Sequence, residues 1–298
     1  MPQLIARHNP KAFKTLPLTV EANHDGLTYQ ALGQPLNFSE MLERRKPIEI
    51  DDAQHFSVKL ANLGVSVRLT LNWQGQDHWL LVRQRRPDRG DVVLKLISGY
   101  IPAHELALPL LTAVQEVAEE CLIETPRGWL AGRFADTWLP TPYAPALPYR
   151  EDVAFRLTPR SGAARPVRCG SLALLERPRA YVHTPTASLQ LVYDLLLELP
   201  RECKAPSLFH VDEKIENGQL LARLARQRPD LYLVALDDGK PTGELYTLSA
   251  GQRLPVSTRG LWLAESFARQ DAWLVHDSRV RWRDWLERMA PQSALQRA

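Results

Sequence analysis

Three glutamates, Glu116, Glu119 and Glu120, fall within one short stretch of the chain. On a helix Glu116 and Glu120 are one turn apart and Glu119 sits beside both, so three carboxylates crowd one face. Like charges at these spacings destabilise an isolated helix by roughly 0.2–0.5 kcal/mol per pair. No lysine or arginine between Leu108 and Leu122 offsets them. A hard divalent cation, Mg²⁺ or Mn²⁺, would do so, because such ions prefer carboxylate oxygen and need few protein ligands. What the spacing itself points to is a binding place for such a cation. The competing reading is a solvated acidic helix face.

The residues around the acids carry a resemblance. Gly99 is followed at a five-residue gap by Glu105, and Gln115-Glu116-Val117-Ala118-Glu119-Glu120-Cys121-Leu122-Ile123 comes after it. This resembles the Nudix box, G-x5-E-x7-R-E-U-x-E-E-x-G-U with U a bulky apolar residue. Gly99, Glu105, Glu116, Val117, Glu119, Glu120 and Ile123 fall on matching positions. Three features depart from the pattern. Nine residues rather than seven separate Glu105 from Gln115, Gln115 stands where the family has arginine, and Leu122 replaces a glycine. Glutamine can hydrogen-bond but supplies no charge. Without the glycine the helix must end differently, near Pro126. The resemblance covers about 65–123 and extends as a domain toward Leu199.

That resemblance implies a metal-dependent pyrophosphohydrolase, acting on a nucleoside diphosphate linked to another moiety. By the same resemblance Glu116, Glu119 and Glu120 would be metal ligands, one of them orienting the attacking water, and the metal ions would neutralise the pyrophosphate and lower the pKa of a bound water. Gly99 would let the backbone turn sharply at the pocket, and Glu105 would stabilise the loop or helix. Arg83 and Arg85, with Arg86 and Arg89, could hold substrate phosphates through bidentate contacts, although an exposed turn explains most of them as well. A general base could come from Glu151 or Asp152, whose commoner role would be solvated loop charge. The alternative function is a Nudix-fold module that binds a nucleotide or regulates a partner without turnover. Gln115, Leu122 and the longer loop favour it; three intact glutamates oppose it.

The elements that must position these residues follow from periodicity. Val65, Val67, Leu69 and Leu71 alternate as a half-buried strand, and a turn over 72–77 leads to a second strand, Trp79–Val82. A further strand spans 92–97. The segment Leu108–Leu122 reads as an amphipathic helix with Pro109 at its first position and a buried stripe of Leu111, Val114, Val117 and Cys121. Strand pieces recur at Val153–Leu157 and Leu172–Leu175. A second, mostly apolar helix is expected over 187–199, a third over 218–226, a strand over 231–236 and a turn at 239–243. The fold class is therefore mixed α/β (α+β): a Nudix-like mixed β-sheet sandwiched between helices. Three parts are expected: an N-terminal extension (1–58) with a short helical stretch near Phe38–Glu43, a Nudix-like domain (59–200) and a C-terminal subdomain (201–298). Half of the eight tryptophans, Trp262, Trp273, Trp282 and Trp285, lie in the last part and read as core packing, with a homodimer contact reasonable.

Composition narrows the alternatives. Of 298 residues, 45% are hydrophobic and 24% charged, and 37 basic against 34 acidic residues leave +3, too slight to point to nucleic acid. Three scattered cysteines, Cys121, Cys169 and Cys203, give neither a disulfide framework nor zinc spacing. The Gly239-Lys240-Pro241-Thr242-Gly243 stretch lacks the earlier glycine of a phosphate loop, and Cys169-Gly170-Ser171 lacks the glycines of a nucleophile elbow. No run of eighteen apolar residues crosses a membrane, and the N-terminus lacks a signal-peptide core, so a cytoplasmic location is expected.

Overall fold

The computed structural model describes residues 3–6, 14–86, 91–160, 165–216, 219–268, 273–276 and 279–289. The fold is mixed α+β and mostly sheet, 54% strand against 13% helix. Its axis is the strand Asn62–Trp73. Val65, Val67, Leu69 and Leu71 are fully buried on one face, and alternation sends Ser66, Arg68 and Thr70 to the other. A two-residue turn at Gln74–Gly75, both at positive φ, folds it back on Gln76–Arg86. Turns of this hand match strand twist and place glycine where a side chain would be strained. Asp91–Lys95 pairs with that second strand. Ile97–Tyr100 then crosses back to pair with the first half of the central strand, Gly99 opposite Val65.

The largest departure from the sequence reading lies on the other side of the central strand. Residues expected as a helix over 187–199 form a strand, Ser188–Glu198, parallel to Asn62–Trp73 over ten register pairs, from Ser188↔Asn62 to Leu197↔Leu71. A strand buried on both faces reads as a continuous apolar run, which periodicity alone does not separate from a buried helix. Here Leu189, Leu191, Tyr193, Leu195 and Leu197 alternate into the same core as Val65 and Leu69. The helix expected over 218–226 is likewise a strand, Gln219–Leu224, closing an antiparallel hairpin with Ser207–Glu216; Gly218 lies outside the described residues. The expected turn at 239–243 is confined to Asp238–Gly239, both at positive φ, and Lys240–Ser249 is strand.

The helix Pro109–Glu120 has Pro109 at its start, as expected, and packs on the Val65 face. Its buried stripe is rotated: Thr112, Ala113, Val114, Val117 and Ala118 face inward, whereas Leu111 is 41% exposed. The helix stops at Glu120, well before Pro126. Cys121 is already extended (φ −111°, ψ 92°) and opens the strand Cys121–Thr125. A helix that runs straight into a strand needs no left-handed residue, so Leu122 costs nothing there.

Strands Leu18–Asn23, Gly26–Ala31 and Phe56–Leu60 form a five-stranded sheet with Val167–Cys169 and Leu172–Ala173, whose inner side chains, Leu18, Val20, Leu27 and Tyr29, join the main core. Between them lies the helix Phe38–Arg44, capped by a reciprocal Asn37–Glu40 box. Residues beyond 200 pair directly with the middle of the chain: Ser207–Glu216 with Cys121–Thr125, and Leu231–Asp237 with Gln76–Arg86. On the Ser66 side a second core gathers Trp79, Phe267, Trp282 and Trp285, so these tryptophans are packing residues. Trp262 is half-buried, with the Arg279 and Arg281 guanidinium groups over its ring. Among the described residues no helix is long and apolar enough to cross a membrane.

Candidate functional site: a polar cavity across the sheet from the glutamate helix

The central strand separates two environments. On the Val65 face, Glu116, Glu119 and Glu120 are each half-buried along the flank of the Pro109–Glu120 helix, and all three engage neighbours. Glu116 meets Gly99: a β-carbon built on Gly99 would overlap the Glu116 carboxylate. The role expected of Gly99 is thereby corrected. It sits within a paired strand and makes no sharp turn; its missing side chain is the space Glu116 occupies. Glu105 accepts a 2.5 Å hydrogen bond from the Thr112 hydroxyl, with His104 at 3.6 Å, and so ties the preceding loop to the first turn of the helix.

The divalent ion implied by the resemblance would need several carboxylates converging on one point. Among the described residues no group of three or more His, Cys, Asp or Glu side chains is placed to hold a metal. Glu116 is turned to Gly99 instead.

The phosphate-binding candidates also fall elsewhere. Arg83 lies 3.7 Å from Asp230, and its amide donates to the Asp230 carbonyl. Arg85 is exposed on the same face of its strand as Arg83. Gln84, between them, lines the cavity described below, so alternation turns both arginines away from it. The Arg86 side chain and Arg89 lie outside the described residues. Glu151 and Asp152 are exposed; Arg150 grips Asp152 through two hydrogen bonds (2.9 and 2.6 Å) and holds its carboxyl below the usual range, unsuited to a general base.

On the Ser66 face lies a cavity of about 300 Å³. Its floor is strand: Ser66 from the central strand, Ser98 and Gly99 beside it, and Ser188 and Gln190 from the parallel neighbour. The Arg179–His183 strand adds Tyr181 and His183, and the diverging hairpin adds Gln84, Val93 and Lys95. Arg45, just past the end of the Phe38–Arg44 helix, forms part of the wall, with Glu265 and Ser266 completing it. Tyr181 is held between the Ser66 and Ser266 hydroxyls, and burial pushes its hydroxyl up to about 12. His183 Nδ1 is 2.7 Å from the Thr186 hydroxyl.

The two cations of this cavity are held unlike most others in the molecule. Arg68 and Arg179 share Asp194, Arg83 and Arg228 share Asp230, Arg226 pairs with Glu124 and Arg279 with Asp91. Lys95 Nζ instead donates to Ser98 Oγ at 2.7 Å, and Arg45 Nη1 donates to the Tyr100 hydroxyl at 2.5 Å while lying over its ring. Hydroxyls orient a cation without neutralising it. Among the described residues the lining holds one acid, Glu265, 3% exposed and itself partnered.

Sequence reasoning missed these residues. Lys95 had a signal, a charge inside the apolar run Val92–Ile97 with a serine three residues on. Arg45 had none, since Arg44-Arg45-Lys46 reads as a solvated charge run. Compared with models of protein families and with curated proteins, the chain matches none.

Proposed function

We propose that the protein is a Nudix-like module that binds a phosphorylated small molecule in the Arg45–Lys95 cavity, without metal-dependent turnover. The observation that carries this reading is the pair of hydroxyl-held cations in a concave, hydrogen-bonding pocket. A bound phosphate supplies the anionic oxygens that other arginines of the molecule find in carboxylates, and Arg45 can offer them a planar fork of donors. The pocket lies at the small end of the roughly 300–1,000 Å³ span of ligand sites.

Pyrophosphohydrolysis with Mg²⁺ or Mn²⁺ is the second reading. One observation favours it: Glu116 packs against Gly99, and Gly99 also lines the cavity. Titrating the protein with nucleoside diphosphate sugars, dinucleotides and nucleoside triphosphates, with and without Mg²⁺, while following hydrolysis, tests the two together. The binding module gives saturable binding without Mg²⁺ that Lys95→Gln weakens and Glu119→Gln does not. Turnover that requires the metal and disappears in Glu119→Gln and Glu120→Gln would replace it with the hydrolase.

A further inference from the structure

The geometry points to a sugar phosphate as what the cavity reads: a polyhydroxylated ring bearing one phosphate, with the ring rather than a nucleobase seated on the strand floor. This rests on the proposed reading that the cavity is the ligand site, and it names the ligand class.

Three observations converge on it. The floor is made of neutral groups that both donate and accept. Ser66, Ser188 and Gln190 stand on adjacent strands, and Tyr181, paired with Gln190 on the next strand, lies between two serine hydroxyls. Ring hydroxyls also both donate and accept, so they match such a surface at several points. Gly64 keeps this floor in place. A β-carbon there would stand 2.6 Å from the Gln190 amide atoms, so the amide lies flat on the strand because position 64 has no side chain. The polar floor continues beneath the lining: Asn62, on the same face as Gly64 and Ser66 and paired with Ser188, is fully buried, and neither of its amide atoms has a hydrogen-bond partner. Buried polar groups in such a state call for a polar partner.

The aromatic groups argue against a base. Nucleobases are held mainly by stacking on an open aromatic face. Arg45 lies over the Tyr100 ring, with Phe38 tilted beside it at 6.3 Å, and Tyr181 is 6% exposed. Arg45 thus covers one face of Tyr100, and Tyr181 is enclosed. Among the described residues the lining contains no tryptophan or phenylalanine, and its one histidine, His183, is bonded to Thr186. Arg45 and Lys95 fix where the phosphate sits, on the Tyr100–Ser98 side, and leave Tyr181 and Gln190 for the ring.

Calorimetric titration of the full chain with four probes tests this: inorganic phosphate, glucose 1-phosphate, glucose 6-phosphate and uridine monophosphate. At least one glucose phosphate is expected to bind about 10-fold or more tighter than inorganic phosphate and than uridine monophosphate. Tyr181→Phe and Gln190→Ala are each expected to weaken the glucose phosphate about 3- to 10-fold, and inorganic phosphate less. Lys95→Gln is expected to weaken every probe. Uridine monophosphate equal to or tighter than both glucose phosphates overturns the sugar assignment while leaving the cavity as an anion site. Glucose phosphate binding that Tyr181→Phe and Gln190→Ala leave unchanged, in variants that melt as the wild type does, overturns it too. Should no phosphorylated probe bind, or Lys95→Gln change none of them, the functional reading itself falls, and this inference with it.

Discussion

The two faces of the Asn62–Trp73 strand solve opposite problems. On the Val65 face, the helix Pro109–Glu120 buries Ala113, Val114 and Val117 against a continuous apolar core, and its glutamates lie on the flank, Glu116 filling the space beside Gly99. On the Ser66 face the same strands present serines, an amide and a tyrosine hydroxyl, and two cations oriented by hydroxyls. The first face spends its polar groups on structure. The second keeps charge available to an incoming anion. Acidic side chains grouped along a helix are thus weaker evidence of a site than cations left without carboxylates in a concave place.

The largest effect expected from this contrast is on binding. Charge-assisted hydrogen bonds contribute roughly 1.5–3 kcal/mol each, so Arg45→Gln combined with Lys95→Gln should weaken a phosphorylated ligand about 100-fold or more. Glu119→Gln combined with Glu120→Gln should leave the same affinity within about 2-fold. A reversed outcome in one titration series would exchange the roles of the two faces. Gly99→Ala comes next, and it acts on stability. The added methyl group has to displace the Glu116 carboxylate, an overpacking cost of about 1–3 kcal/mol in denaturant unfolding. The cost should shrink in a Glu116→Ala background, and a double-mutant cycle measures that coupling. Equal costs in both backgrounds would mean that the carboxylate moves aside freely.

Much of the Val65 face was legible in the sequence. Alternation at Val65–Leu71, the proline start of the helix and the 99–105 spacing locate the strand, the helix and the loop between them, because each is a local pattern with a local physical cause. The phase of the helix was off by the identity of one residue. Leu111 is apolar and faces out, while Thr112 faces in, where its hydroxyl donates a hydrogen bond to Glu105. The Ser66 face was hardly legible. It is assembled from six separated stretches around Arg45, Ser66, Gln84, Lys95, Tyr181–Gln190 and Glu265, and the pairing of Ser188–Glu198 with the central strand brings Ser66 and the Tyr181–Gln190 stretch together. Reading that strand as a helix removed half of the floor. Its leucines satisfy both periods, and the deciding fact, burial on both faces, is tertiary.

Smaller effects probe how each face tolerates its polar groups. Thr112→Val deletes the bond that Glu105 uses to fasten the loop to the helix, and about 1 kcal/mol of stability should go with it. Thr112→Ser, which keeps a hydroxyl, should recover most of the loss in the same unfolding measurement. An undiminished Thr112→Val protein would show that the packing around Leu106 and Pro109 is enough to hold the loop.

The smallest effect is one of pH, and it concerns His78, fully buried on the same face as Leu80. Burial lowers its pKa from the ordinary 6.5, and the Arg253 guanidinium lowers it further, against opposing contributions that include the neighbouring Asp77. Arg253 Nη1 is 3.2 Å from Nε2, and a guanidinium only donates, so Nε2 accepts and the ring is neutral. Above pH 6.5 His78 is neutral in both folded and unfolded chains and gives no slope. As pH falls below 6.5 the unfolded chain binds a proton that the folded one refuses, so stability declines until the folded pKa is reached. One proton limits that slope to about 1.4 kcal/mol per pH unit. Urea unfolding at pH 7.5, 6.5 and 5.5 should show this decline in the wild type and a shallower one in His78→Gln. Parallel curves would mean that the ring accepts its proton in place, with Arg253 swinging away to make room.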